Sequence, residues 1–188
     1  MSNGVGIHII KRDGTSVPLD INKIHFVVEE ACEGLTGVSS SQIEINANIQ
    51  FYDGITTKDI QHVLVKSAND LITLENPNYQ YAAARLLSYD VRKEAHGQYE
   101  YIPLLKLILR NIKLGVYDRT IVEKYHKSEI KKFNTWIKRD RDLDFTYAGL
   151  RQVVDKYLVQ DRSSGEIYET PQDMYMICLL YTSDAADE

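Results

Sequence analysis

The chain has 188 residues, 44% of them hydrophobic and 26% charged, with a formal net charge of −5. That length fills one domain or two small ones, and the balance supports a packed core without extended disorder. A sequence pI of about 5.6 lacks the basic footprint of a general nucleic-acid binder, so any anion site must be local.

No apolar run reaches the roughly 18 to 20 residues of a membrane span, and the opening MSNGVG has no basic region followed by an apolar one. Cys32 and Cys178 stand far apart, with no CxxC and no metal-ligand spacing. That pattern suggests neither zinc nor a disulfide framework and suits a reducing cytoplasm.

Ile7, Ile9 and Ile10 read as a short strand that turns at Asp13-Gly14, because glycine takes the positive φ a tight hairpin needs. A second strand over 15–19 must be an edge or ending strand, since Pro18 cannot donate to a ladder. Asp20 or Asn22 then caps a helix with Ile24, Val27, Val28, Ala31 and Leu35 on one face. Lys11, Arg12 and Lys23 can converge, two beside the turn and the third in the first helical turn. Cations at a helix N-terminus oppose the helix dipole, so this placement makes sense if an anion joins them. From this stretch alone, a solvated hairpin is the commoner reading.

Gly34 and Gly37 bracket a turn, after which Ser39, Ser40 or Ser41 caps a second helix running through Ile43, Ala47 and Ile49 toward Phe51 and stopping near Asp53-Gly54. Thr56 and Thr57 precede a third helix with Ile60, Val63, Leu64, Ala68 and Leu71 in its stripe; Thr57, Ile60 and Gln61 share a face at its start. Asn76-Pro77 supplies a cap and first-turn proline for a fourth helix. Its stripe of Ala83, Leu86, Leu87 and Val91 includes Asp90, a carboxylate that is costly there without a partner.

Gly97 and Pro103 mark a boundary, followed by amphipathic segments at 104–114, around Ile121, at 130–138 with the lone Trp136, and at 145–158. The charged run KRDRDLD at 138–144 reads as a solvated helix end or loop, and 157–169 as two short strands about a Ser-Gly turn. Pro171 opens a last helix, and residues 182–188 read as a non-native or disordered tail on a chain that stops in mid-domain. The sequence has no GxxxxGK[ST], GxGxxG, HExxH or GxSxG. Its histidines lack metal spacing, with His25 and His62 reading as surface or core-edge residues. No nucleophile meets a base, so neither a catalytic residue nor a metal site is expected.

The ordered motifs KRDG (11–14), NKI (22–24), DGITTKDI (53–60) and YQYAAARLLSYDVRK (79–93) resemble the ATP-cone. That is the nucleotide-binding regulatory domain at the N-terminus of the large (alpha) subunit of class I ribonucleotide reductases. The resemblance continues through HGQYE (96–100), GVYD (115–118), RDLDFTYAG (141–149) and KYLVQDRSSGEIYETPQ (156–172). It implies a mainly α fold: a β-hairpin lid over a four-helix cluster at 7–97, then the start of a helical N-terminal reductase domain at 98–181, with a small β-hairpin near 157–169.

The resemblance also implies ATP as activator and dATP as inhibitor, bound with Mg2+ and not hydrolysed. Lys11, Arg12, Lys23 and Lys93 would surround the triphosphate, Thr57 and Ile60 would line the base, and 17–23 would wrap the nucleotide, with Val17, Asp20, Ile24, Gln61, Tyr89 and Asp90 completing the site. Gln61 and Asp90 stand where the family commonly has histidines, Tyr89 for a common phenylalanine, and Val17 for a glutamate. Asp90 sets a negative charge near a polyanion, so weaker binding or a counter-cation, Lys93 at i+3, is expected, with dATP inhibition blunted. The parent would be a cytoplasmic ribonucleoside-diphosphate reductase making deoxyribonucleotides for DNA replication. Its partners would be other alpha subunits and the small radical-generating beta subunit, with no nucleic acid and no membrane. Its catalytic barrel has no counterpart in this sequence. The alternative is a degenerate cone that makes subunit contacts without binding nucleotide.

Overall fold

A computed structural model describes residues 7–183. The fold is mainly α, with one small sheet. Close contacts divide it into a first unit that ends at Asp90 and adds Phe145–Leu150, and a second comprising Val91–Asp144 and the residues from Arg151 on.

In the first unit, β1 (His8–Ile10) and β2 (Ser16–Pro18) form the expected antiparallel hairpin, with Ile9 opposite Val17. Gly14 takes φ 83° in the turn. Asp13 Oδ1 accepts from the Thr15 N–H at 2.9 Å and from its hydroxyl at 2.6 Å. These bonds hold the turn and lower the carboxyl below its usual range. A third strand, β3 (Ile55–Thr56), pairs parallel to β1, giving the order β2-β1-β3. Asp53-Gly54 leads into this strand: Asp53 Oδ1 accepts from the His8 N–H, and the Gly54 N–H donates to the His8 carbonyl, both at 2.8 Å.

Four helices follow the apolar stripes read from the sequence. In α1 (Ile21–Cys32), Asp20 caps the Asn22 N–H at 3.1 Å, and Ile24, Val28 and Ala31 are buried. In α2 (Ser40–Asn48), capped by Ser39, Ile43 and Ala47 are buried. This helix stops earlier than expected: Gln50 and Phe51 turn back onto the Ala47 and Asn48 carbonyls, leaving Ile49 80% exposed. Thr56 caps α3 (Thr57–Asn69) by accepting from the Asp59 N–H at 3.0 Å and donating to the Asp59 carboxylate at 2.7 Å.

The fourth helix, α4 (Tyr79–His96), begins two residues beyond Pro77, because Gln80 and Tyr81 first close short turns onto the carbonyls of Pro77 and Asn78. Its buried Ala82, Ala83 and Ala84 permit close approach. The Tyr79 hydroxyl accepts from the Ser39 N–H at 3.0 Å and donates to Gln42 at 2.8 Å, while Arg85 donates at the end of α1, to the carbonyl of Ala31 at 3.3 Å and to that of the cap residue Glu33 at 2.6 Å. Side chains thus join helix ends that the sequence leaves far apart.

The second unit builds its own core from α5 (Leu104–Lys113), α6 (Thr120–Lys124), α7 (Lys127–Phe133) and α9 (Pro171–Thr182), through Leu104, Ile108, Ile121, Ile130 and Ile177. A further helix, α8 (Tyr147–Lys156), precedes the 157–169 segment. The helix expected at 130–138 starts earlier, where the His126 ring accepts from the Ser128 N–H and Glu129 accepts from the His126 N–H, and ends in a tight turn at Asn134–Trp136. The hairpin near 157–169 consists of one antiparallel bridge, Gln160 with Ile167, around a turn closed by Asp161.

The charged run 138–144 is mostly exposed, as a solvated helix end would be, except at one position. It contains a 3-10 helix, Arg139–Leu143, in which Asp142 is fully buried. Of the expected tail, Thr182 is the last residue of α9 and Ser183 its cap, while 184–188 lie outside the described residues. No described helix is long and apolar enough to cross a membrane.

Candidate functional site

Beside the hairpin, the first unit gathers charge from three elements. Arg12 leaves the β1–β2 turn and places Nη2 3.2 Å from Asp90 Oδ1 on α4, across 78 residues of sequence. His62 Nε2 of α3 stands 3.8 Å from the other oxygen, Asp90 Oδ2. The Asp90 side chain is 9% exposed, whereas those of Arg12 and His62 are 38% and 59% exposed. A nearly buried carboxylate is therefore held by two cationic or potentially cationic groups that both reach solvent. The sequence names Lys93 as a counter-cation for Asp90; the structure also sets Arg12 against that carboxylate, a pairing the sequence did not anticipate.

The other candidate residues fall into two groups. Lys11 is exposed at the end of β1, where its backbone N–H donates to the Thr15 carbonyl at 2.9 Å and its own carbonyl accepts from the Gly14 N–H at 2.9 Å. Lys23 is exposed in the first turn of α1, with Nζ 3.8 Å from Asp20 Oδ2, so the cap of the helix also receives the lysine. Lys93 is exposed on α4, one turn beyond Asp90.

Ile24, Ile60 and Tyr89 are buried, and Val17 and Thr57 are half-buried. Gln61 donates through Nε2 to the Leu86 carbonyl at 2.7 Å and thereby ties α3 to α4. The structure thus joins Arg12 with Asp90, Lys23 with Asp20, and Gln61 with the backbone of α4. His62 is the neighbour that residue spacing did not reveal: it reads as a surface histidine on its helix, and only the packing of α3 beside α4 sets it near Asp90. Among the described residues, no group of three His, Cys, Asp or Glu side chains could hold a metal ion.

The family described as the ATP cone domain matches residues 7–94, a span that holds the hairpin, β3 and nearly all of α1–α4. Residues 7–94 are an ATP cone. The chain is 45% identical over 169 residues to the ribonucleoside-diphosphate reductase 1 subunit alpha of Escherichia coli K12, a match covering 90% of this chain and 22% of that protein. It is 41% identical over 169 residues to the reductase subunit alpha of Haemophilus influenzae, with the same coverage of each chain. Against the subunit alpha of Enterobacteria phage T4 the identity is 42% over 172 residues, covering 90% of this chain and 22% of that one. The chain thus spans about a fifth of the length of these relatives. Their likeness runs beyond the cone into the second unit.

Proposed function

We propose that the cone binds a nucleoside triphosphate, ATP or dATP, and serves as the allosteric region of a ribonucleoside-diphosphate reductase alpha subunit. The observation that carries this reading is the family match over 7–94, with cationic side chains placed on the hairpin turn and on the first turn of α1 within the matched span. Lys11, Arg12, Lys23 and Lys93 supply four positive charges for a triphosphate of about −4, and charge-assisted hydrogen bonds to phosphate are the strong ones. Thr57 and Ile60, at the start of α3, would meet the base. Mg2+ would arrive on the phosphate oxygens, since it binds through substrate phosphates and one or two carboxylates rather than an all-protein cage.

The cone would read out the nucleotide rather than consume it. A regulatory ligand acts by its differential affinity for two states of the protein, so ATP and dATP would bias the assembly of the alpha subunit with other alpha subunits and with the beta subunit. The test is titration calorimetry of the 188-residue chain with ATP and dATP. Saturable binding of one nucleotide per chain, weakened at least tenfold in Lys23→Ala, is expected. Absence of heat at millimolar nucleotide would overturn the reading.

A second reading, a cone that only docks other subunits, is favoured by the Arg12–Asp90 pair, which satisfies a phosphate-binding cation without any phosphate. Thermal unfolding separates the two, since a pure docking module gains no stability from ATP.

A further inference from the structure

Asp90 belongs to the nucleotide site as the sequence reads it, yet it is an acceptor in a place that should attract acceptors from outside. Its Oδ1 already takes the Arg12 guanidinium at 3.2 Å. We infer, resting on the nucleotide reading above, that Asp90 is a resident competitor for Arg12, so that a triphosphate enters by exchanging a carboxylate for a phosphate on that guanidinium.

Three features support such an exchange. Arg12 sits on a turn fixed by Asp13 and Thr15, so its backbone stays in place while its side chain, 38% exposed, changes partner. Asp90 is on the interior of α4 with a side chain only 9% exposed, so it cannot swing into solvent to make room. His62 Nε2 lies 3.8 Å from Oδ2 and faces solvent, which gives the carboxylate a second partner when Arg12 leaves. The competitor is thus buried, the contested cation reaches solvent, and a second partner stands beside them. A guanidinium pairs with carboxylate and phosphate through the same planar donor fork, so the two acceptors exclude each other.

The exchange predicts that removing the carboxylate tightens binding, the opposite of what loss of a ligand-contacting side chain does. Asp90→Asn keeps the shape and cannot hold Arg12 as an ion pair. ATP and inorganic tripolyphosphate should each bind it about tenfold more tightly than the unaltered chain, a factor equivalent to about 1.4 kcal/mol. In an Arg12→Ala background the same substitution should gain threefold or less, because there is no guanidinium left to release. Asp90→Ser repeats the test with a shorter side chain, and far-UV circular dichroism establishes that each variant is folded.

An unchanged or weaker affinity in Asp90→Asn, or an equal gain with and without Arg12, would overturn the inference while leaving the nucleotide site standing. Failure of every folded variant to bind ATP, dATP or tripolyphosphate would instead remove the nucleotide reading and the inference with it.

Discussion

Two carboxylates of the second unit, Asp142 and Asp173, are buried but held differently. Asp173 has Arg139 Nη1 2.6 Å from Oδ1, His96 Nε2 3.1 Å from Oδ2, and the Thr170 hydroxyl donating to Oδ2 at 2.8 Å. Burial raises its carboxyl, but these partners outweigh it and leave the group below the usual range. For Asp142, burial and the neighbouring Asp173 charge outweigh Arg139 and push the carboxyl up to about 7. The folded state therefore holds a proton that the unfolded chain, with a carboxyl near 3.8, has already lost. Stability from this group is full below about pH 4 and falls as pH rises toward 7. Asp142→Asn should raise the urea midpoint at pH 8 and change it little at pH 4; a loss of stability at pH 8 would refute the assignment. The alternation of sign in KRDRDLD was legible, but the direction each side chain takes was not. In a 3-10 helix positions i and i+3 eclipse, so Arg139 and Asp142 share an edge, and tertiary packing decides whether that edge faces water.

Caps made three helices of the first unit legible as elements. Asp20, Ser39 and Thr56 each stand before an apolar stripe and each occupies the cap position. The start of α4 was misread because Asn76-Pro77 closes a turn ahead of the helix. Strand β3 went unread altogether: two residues pairing in parallel with a distant strand leave no local periodicity, and Asp53-Gly54 looks the same whether it ends a helix or enters a sheet. Thr56 is both the last residue of that strand and the cap of α3, so the sheet and the helix carrying Thr57, Ile60 and Gln61 meet in one side chain. Thr56→Ala should cost about 1 kcal/mol of stability, the typical value of a lost N-cap, and Thr56→Ser should recover most of it. Equal losses in both variants, read in chemical denaturation, would mean that the methyl group rather than the hydroxyl matters.

Over the whole molecule, sequence carried the likeness to the cone over 7–94, but not the pairing among the candidate residues. Arg12 reaches Asp90 from 78 residues off, a contact that exists only once the hairpin and α4 are both in place. The same division between local and long-range information bears on how a bound nucleotide would be felt. A ligand that binds only the folded state adds about 2.7 kcal/mol at 100 times its dissociation constant. That gain falls on the openings that disrupt the site, since proteins open in cooperative parts rather than all at once. Lys11, Arg12, Lys23, Thr57 and Asp90 belong to the first unit, whereas Leu104, Ile108, Ile130 and Ile177 form a separate core in the second. Saturating ATP should therefore slow amide exchange in β1, α1, α3 and the first part of α4, with amides of α5, α7 and α9 slowed by less than threefold. Equal slowing in both sets would show that the units open together and that the nucleotide's effect extends beyond the cone. Asp142→Asn supplies the converse, moving exchange in the second set at pH 8 without ATP. Were that substitution also to slow β1 and α1, a single cooperative transition would link the two units and the nucleotide's influence could not be confined to the cone.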